Sequence, residues 1–164
     1  MAARLHEAGA EVSLIARGPH LAAIREGGLR LNYDGKEAVY HLPATDNPAE
    51  LGPQDYIIIA LKAHALTAIA PTLAPLMAAH TSIVPAVNGV PWWYFHKANT
   101  GSVLDDKPLE SVDPGAVIWN SWGPERAIGC VVYPACEIAE PGLIRHLDGD
   151  RFSLGEPSGE PSER

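Results

Sequence analysis

The sequence predicts an α/β fold, a doubly wound and mostly parallel sheet, and three observations predict it. Residues 56–61 ("YIIIAL") form a β-branched run without alternation, the pattern of a strand buried on both faces of a parallel sheet. Residues 63–79 then have helical composition, and residues 81–87 ("TSIVPAV") are a second apolar run, so strand, helix and strand follow at the length of a βαβ crossover. With 46% hydrophobic and 20% charged residues among 164, the chain is globular and long enough to bury a substantial core.

The remaining elements are taken in chain order. Residues 2–8 favour helix and stop at Gly9; "EVSLIA", residues 11–16, reads as a strand. Residues 20–26 ("HLAAIRE") carry apolar side chains at helical spacing before Gly27 and Gly28, and "LRLNY" and "EAVYHL" alternate around Asp34-Gly35 as a hairpin does. The helix at 63–79 contains Pro71 and Pro75, which bend or restart it. Pro91 suits the first turn of a further helix that begins with Trp92, Trp93, Tyr94 and Phe95. Residues 114–122 read as a short helix capped by Asp113. Three more strands are expected in "IGCVVYPACEI", "GLIRHL" and "RFSLG", before a low-complexity end, "GEPSGEPSER".

Composition excludes several classes. A net charge of -8 and a pI near 5.3 argue against a nucleic-acid binder, whose affinity comes largely from Lys and Arg neutralising phosphates. The opening "MAARLHEAGAEVSLIARG" has no signal-peptide core, and the longest clean apolar run, "IIIAL", is far short of the roughly 20 residues that span a bilayer. A cytoplasmic protein without a membrane partner is expected. Cys130 and Cys136 are the only cysteines and read as a buried, reduced pair; the seven histidines show no ligand spacing, so no metal is expected.

A doubly wound sheet binds its ligand at the carboxyl ends of its strands, which directs attention to Arg17, Lys62 and Asn88. An arginine after the second strand of a dinucleotide fold pairs with the 2′-phosphate of NADP, where an acid would take the 2′-hydroxyl of NAD. Arg17 stands at that point; a solvated arginine at a strand end fits the same position. Lys62 closes the most apolar strand, so its ammonium either faces a ligand crevice or reaches solvent. Asn88-Gly89 ends the next strand with a donor and an acceptor on a short arm, suited to orienting a nicotinamide ribose or a substrate carbonyl, and equally the commonest turn dipeptide. Turn chemistry alone does not ask for Arg, Lys and Asn at three strand ends. The aromatics after Asn88 either wall a pocket or belong to the core.

Together, "ARLHEAGAEVSLIARGPHLAAIREGGLRL", "IIIALKAHAL", "VPAVNGVPWWYF" and "IGCVVYPACEIAEPGLIRHL" with "LGEPSG" resemble the ketopantoate reductase (2-dehydropantoate 2-reductase) family over nearly the whole chain. The resemblance implies a Rossmann-like fold, NADP(H) as cofactor, and reduction of 2-dehydropantoate to pantoate on the way to pantothenate and coenzyme A. It assigns Arg17 to the 2′-phosphate, Lys62 and Ala135 to further cofactor contacts, and Asn88 to the junction of cofactor and substrate.

Two departures from the family pattern shape the expectation. The family opens with a strand and a G-x-G-x-x-G turn that lets backbone approach the pyrophosphate, and no such motif occurs here, so a sheet lacking its first strand and glycine-rich loop is expected. The family's helical domain, which carries the general-acid lysine and a substrate-binding glutamate, is also missing. The chain thus reads as a partial dinucleotide-binding domain at 1–156 with a linker or disordered tail at 157–164, acting on a small 2-keto acid, inactive by itself, and forming homo-oligomers through exposed strand edges. The alternative is a non-catalytic nucleotide-binding or interaction module derived from the same fold.

Overall fold

The computed structural model describes residues 1–164. In chain order its elements are α1 (Ala2–Glu7), β1 (Leu14–Ile15), α2 (Gly18–Gly27), β2 (Leu29–Tyr33), β3 (Lys36–Tyr40), β4 (Ala44–Thr45), β5 (Tyr56–Ile59), α3 (Leu66–Ile69), β6 (Ser82–Pro85), α4 (Val117–Trp122), β7 (Gly129–Val132), β8 (Ala135–Glu140), β9 (Leu143–Asp148) and β10 (Phe152–Gly155). Two compact units result, one of Met1–Leu51 with Tyr133–Asp150 and one of Gly52–Val132 with Arg151–Arg164. The fold is mixed α/β, and its sheets are fragmented. The expectation of a mostly parallel sheet is corrected: β1–β4, β2–β9 and β5–β6 are parallel, while β2–β3, β8–β9 and β7–β10 are antiparallel. Tight turns join β2 to β3 and β8 to β9, and a tight turn permits only antiparallel neighbours.

In the first unit the main sheet has the order β3-β2-β9-β8. Asp34 and Gly35 both take positive φ, 51° and 71°, which makes the two-residue hairpin turn that their sequence predicts. Of the strand expected at 11–16, only Leu14 and Ile15 find ladder partners, in Ala44 and Thr45. Ala3, Ile24, Leu29 and Leu42 form the core, with Val12, Leu14, Leu31 and Ile144 packed around it. At Gly28 (φ 81°) a Cβ would lie 2.8 Å from Val39 Cγ1 and 3.0 Å from the Tyr40 carbonyl oxygen, so both conformation and space require glycine. Arg25 Nε donates to the Ala44 carbonyl at 2.9 Å and the Gly142 N–H donates to His20 Nδ1 at 2.9 Å, tying both ends of α2 to the strands.

The strand expected at 128–138 is two strands. β7 pairs with β10 in the second unit and β8 with β9 in the first, and Pro134, which has no N–H to give a ladder, lies in the gap. The expectation of two buried, reduced cysteines is corrected in one respect: both are free thiols and Cys130 on β7 is buried, but Cys136 on β8 is exposed. β8 is an edge strand exposed along its whole length.

In the second unit β5 pairs with β6 alone. Ile57 and Ile59 are buried, but Tyr56 and Ile58 are 53% and 37% exposed, which corrects the expectation of burial on both faces; an unbroken apolar run looks the same on a covered and an open face. Residues 63–79 do not form one helix. They make a 3-10 turn at Ala63–Ala65, a single α-turn as α3, and a 3-10 stretch at Ala70–Leu76, because Pro71 and Pro75 remove donors that an α-helix needs. The helix expected from Pro91 is absent too: the Tyr94 N–H reaches the Pro91 carbonyl and the His96 N–H the Trp93 carbonyl, at 3.1 and 2.8 Å, as successive turns. Trp92 is drawn into the core instead, 1% exposed, with its ring 5.7 Å from that of Trp122 at 76°.

Asp113 caps α4 as expected in kind, but further along the chain. Its carboxylate accepts the Ile118 and Trp119 N–H groups, both at 2.9 Å, since Gly115 and Ala116 are left-handed (φ 69° and 56°) and the regular helix begins at Val117. No helix in the chain is long and apolar enough to cross a membrane.

Candidate functional site

Two isolated parallel bridges, Ile83↔Ala127 and Ala86↔Cys130, join β6 to β7. Both keep one register, an offset of 44, and that register puts Asn88 opposite Val132. There the side chain takes over from the backbone: Asn88 Nδ2 donates to the Val132 carbonyl and Asn88 Oδ1 accepts the Val132 N–H, each at 2.9 Å. These two bonds fix which end of the amide is nitrogen, because the backbone offers one acceptor and one donor in set places. An amide has two N–H groups and two lone pairs, so Asn88, which is exposed, keeps one of each for another molecule.

Beside Asn88 lies a cavity of about 390 Å3, within the usual range for small-molecule sites. Its walls come from the segment after β6 (Val87, Val90, Trp93), from β7 (Gly129, Val131), from β10 (Leu154) and from Ala63 and Leu66. Only two titratable side chains line it, Cys130 and Glu156. Burial pushes the Cys130 thiol up. Hydrogen bonds from the Arg164 guanidinium hold Glu156 down to about 2, with the Ser162 hydroxyl assisting. Arg164 also donates to the carbonyls of Glu125 and Ala127, so residues 156–164 fold back onto the unit.

The remaining sequence candidates sit on several different elements. Lys62, exposed and extended (φ -76°, ψ 146°), directly precedes the Ala63–Ala65 turn but does not line the cavity. Arg17, exposed and extended, immediately precedes α2, and Ala135 opens β8; both belong to the first unit. Neither Arg17 nor Lys62 forms a salt bridge. Of the aromatics, Trp92 and Trp93 line the cavity while Tyr94 is 54% exposed. No group of three or more His, Cys, Asp or Glu residues converges on a metal position.

Sequence reasoning missed the floor of this cavity. Gly129 and Gly155 are register partners across β7 and β10 and present bare backbone to it. A glycine inside a strand pattern signals a close approach, and "IGC" carried that signal at Gly129, where the Trp93 ring comes near.

The family model described as Ketopantoate reductase PanE/ApbA matches residues 1–159. A 2-dehydropantoate 2-reductase of Mesorhizobium japonicum is 54% identical over 165 residues, covering 100% of this chain and 50% of that protein. One from Lactococcus lactis subsp. lactis is 38% identical over 90 residues, 52% of this chain and 28% of that one. Among solved structures, a Ralstonia solanacearum MolK2 protein assigned to the ketopantoate reductases superposes with a TM-score of 0.90 at 41% identity, covering 99% of this chain and 50% of its own. The chain spans about half the length of these fuller matches.

Proposed function

The chain belongs to the ketopantoate reductase family, and on that footing we propose that it serves the NADPH-dependent reduction of 2-dehydropantoate to pantoate. The observation that carries this reading is its 54% identity, along its entire length, to the Mesorhizobium japonicum 2-dehydropantoate 2-reductase. NADPH, when bound, supplies the hydride. Arg17, whose guanidinium is exposed and free of salt bridges, takes the 2′-phosphate in a bidentate grip. Lys62 and Ala135 contribute further cofactor contacts. Asn88 turns its remaining N–H and lone pair toward the nicotinamide side and the substrate carbonyl, held in orientation by Val132, and such fixed geometry is what near-attack positioning needs.

Residues 1–164 taken by themselves turn over slowly or not at all in this reading. An alkoxide forming from the keto group needs a proton, and the two titratable groups of the cavity are poor donors near neutral pH: Glu156, held at about 2, is already ionised, and the Cys130 thiol is pushed up. The test is NADPH absorbance with 2-dehydropantoate and the purified chain, together with NADPH and NADH binding. We expect NADPH to bind more tightly than NADH, Arg17→Ala to erase the difference, and turnover to be negligible. No preference for NADPH would remove the cofactor assignment. A rate near that of an ordinary enzyme, about 10 per second, would overturn the expectation of inactivity.

A further inference from the structure

If substrate approaches the Asn88 cavity, the reading on which this inference rests, the chemistry of the walls selects which part of the ligand enters. No lysine, arginine or histidine lines that cavity, and its single ionised side chain is the anionic Glu156. The carboxylate of a 2-keto acid finds no cation there, so the part of the ligand that these walls accept is its apolar substituent. Two tryptophans share the wall and differ in how they are held. Trp92 is core, 1% exposed, and packs edge-to-face on Trp119 and Trp122. Trp93 instead lies against Gly129, the register partner of Gly155: a Cβ at Gly129 would sit 3.0 Å from its Cη2, 3.2 Å from its Cζ2 and 3.2 Å from the Gly155 carbonyl oxygen. Neither indole N–H has a hydrogen-bond partner, so packing alone sets the position of both rings, and what differs is the surface each packs on.

We propose that Trp93 is the residue that sets the size of the apolar group the cavity admits, with Gly129 as its seat. A smaller side chain at 93 lengthens the cavity without leaving a hydrogen-bond partner stranded, whereas a side chain at 129 displaces the ring from the opposite side.

The test uses the 164-residue chain as wild type, Trp93→Ala, Trp93→Phe and Gly129→Ala. Affinities are measured by NMR titration for two matched series, 2-keto acids and methyl ketones bearing methyl, isopropyl, isobutyl and benzyl groups. We expect the benzyl-to-isopropyl affinity ratio to rise about tenfold or more in Trp93→Ala, the scale at which apolar pockets sort ligands by size. Trp93→Phe should raise it less, and Gly129→Ala should shift it measurably. A ratio unchanged in both series, or no binding to any of the four proteins, overturns the proposal; should Trp93→Ala not fold, the other two variants decide in the same way. A shift among the methyl ketones, with 2-keto acids binding no better than ketones, upholds Trp93 and defeats the keto-acid reading instead.

Discussion

Asn88 spends half of its hydrogen-bonding capacity on Val132, and that makes Asn88→Asp more informative than Asn88→Ala. The aspartate keeps the shape but sets a carboxylate oxygen against the Val132 carbonyl, where the amide had donated. We expect Asn88→Asp to lower unfolding stability in urea by about 1–3 kcal/mol. Asn88→Ala should cost less, because the released backbone groups are open to water; equal losses would mean that the aspartate oxygen meets no repulsion from the Val132 carbonyl. Asp113 offers a buried counterpart, fully enclosed and accepting two backbone N–H groups. Asp113→Ala strands both donors, and a loss of about 2 kcal/mol or more is expected in the same measurement.

Between β5 and β6 the connection is broken into short turns, and side chains from elsewhere in the unit hold it. Arg126 Nη1 donates to the carbonyls of Ala78, Ala79 and Thr81, at 2.6, 3.3 and 3.1 Å, and the Trp122 indole N–H donates to the Ala70 carbonyl at 3.0 Å. Hydrogen bonds to a charged group contribute about 1.5–3 kcal/mol, so Arg126→Met should destabilise the unit on that scale and speed amide exchange at residues 78–82. The returning segment 156–164 depends on pH. Glu156 has a folded value near 2, below its ordinary 4.5, so the contact with Arg164 supports folding above about pH 4.5 and that support is lost as pH falls through 2. The pair lies near the surface, so the effect is salt-sensitive and small. Carboxyl NMR should place Glu156 near 2, and Arg164→Ala should return it toward the ordinary range; an unmoved Glu156 would sink the assignment.

For the whole molecule, the strands with one neighbour decide behaviour in solution. β5 pairs on one side only and presents Tyr56 and Ile58 on an open face. An apolar, β-branched edge without proline or charge invites another chain. We expect the 164-residue protein to self-associate as concentration rises in sedimentation, and Ile58→Lys to suppress this; a monodisperse 17.5 kDa species at every concentration would count against it.

The sequence by itself determined the α/β class, the hairpin at Asp34-Gly35, the breaks at Pro71 and Pro75, the strands at 82–85 and 143–148 and the family, because turn chemistry, proline and residue pattern act within a few neighbours along the chain. Asn88 was legible as a polar strand end, and Trp93 as an aromatic after it. Only tertiary structure decided that residues 128–138 split between two sheets, that Cys136 faces solvent, that β5 has an open face, that Trp92 leaves a would-be helix for the core, and that Gly129, paired with Gly155, lies against Trp93. Each of these depends on which distant backbone lies alongside. Burial and pairing are properties of neighbours far apart in sequence, and an apolar strand carries the same letters whether both of its faces or only one is covered.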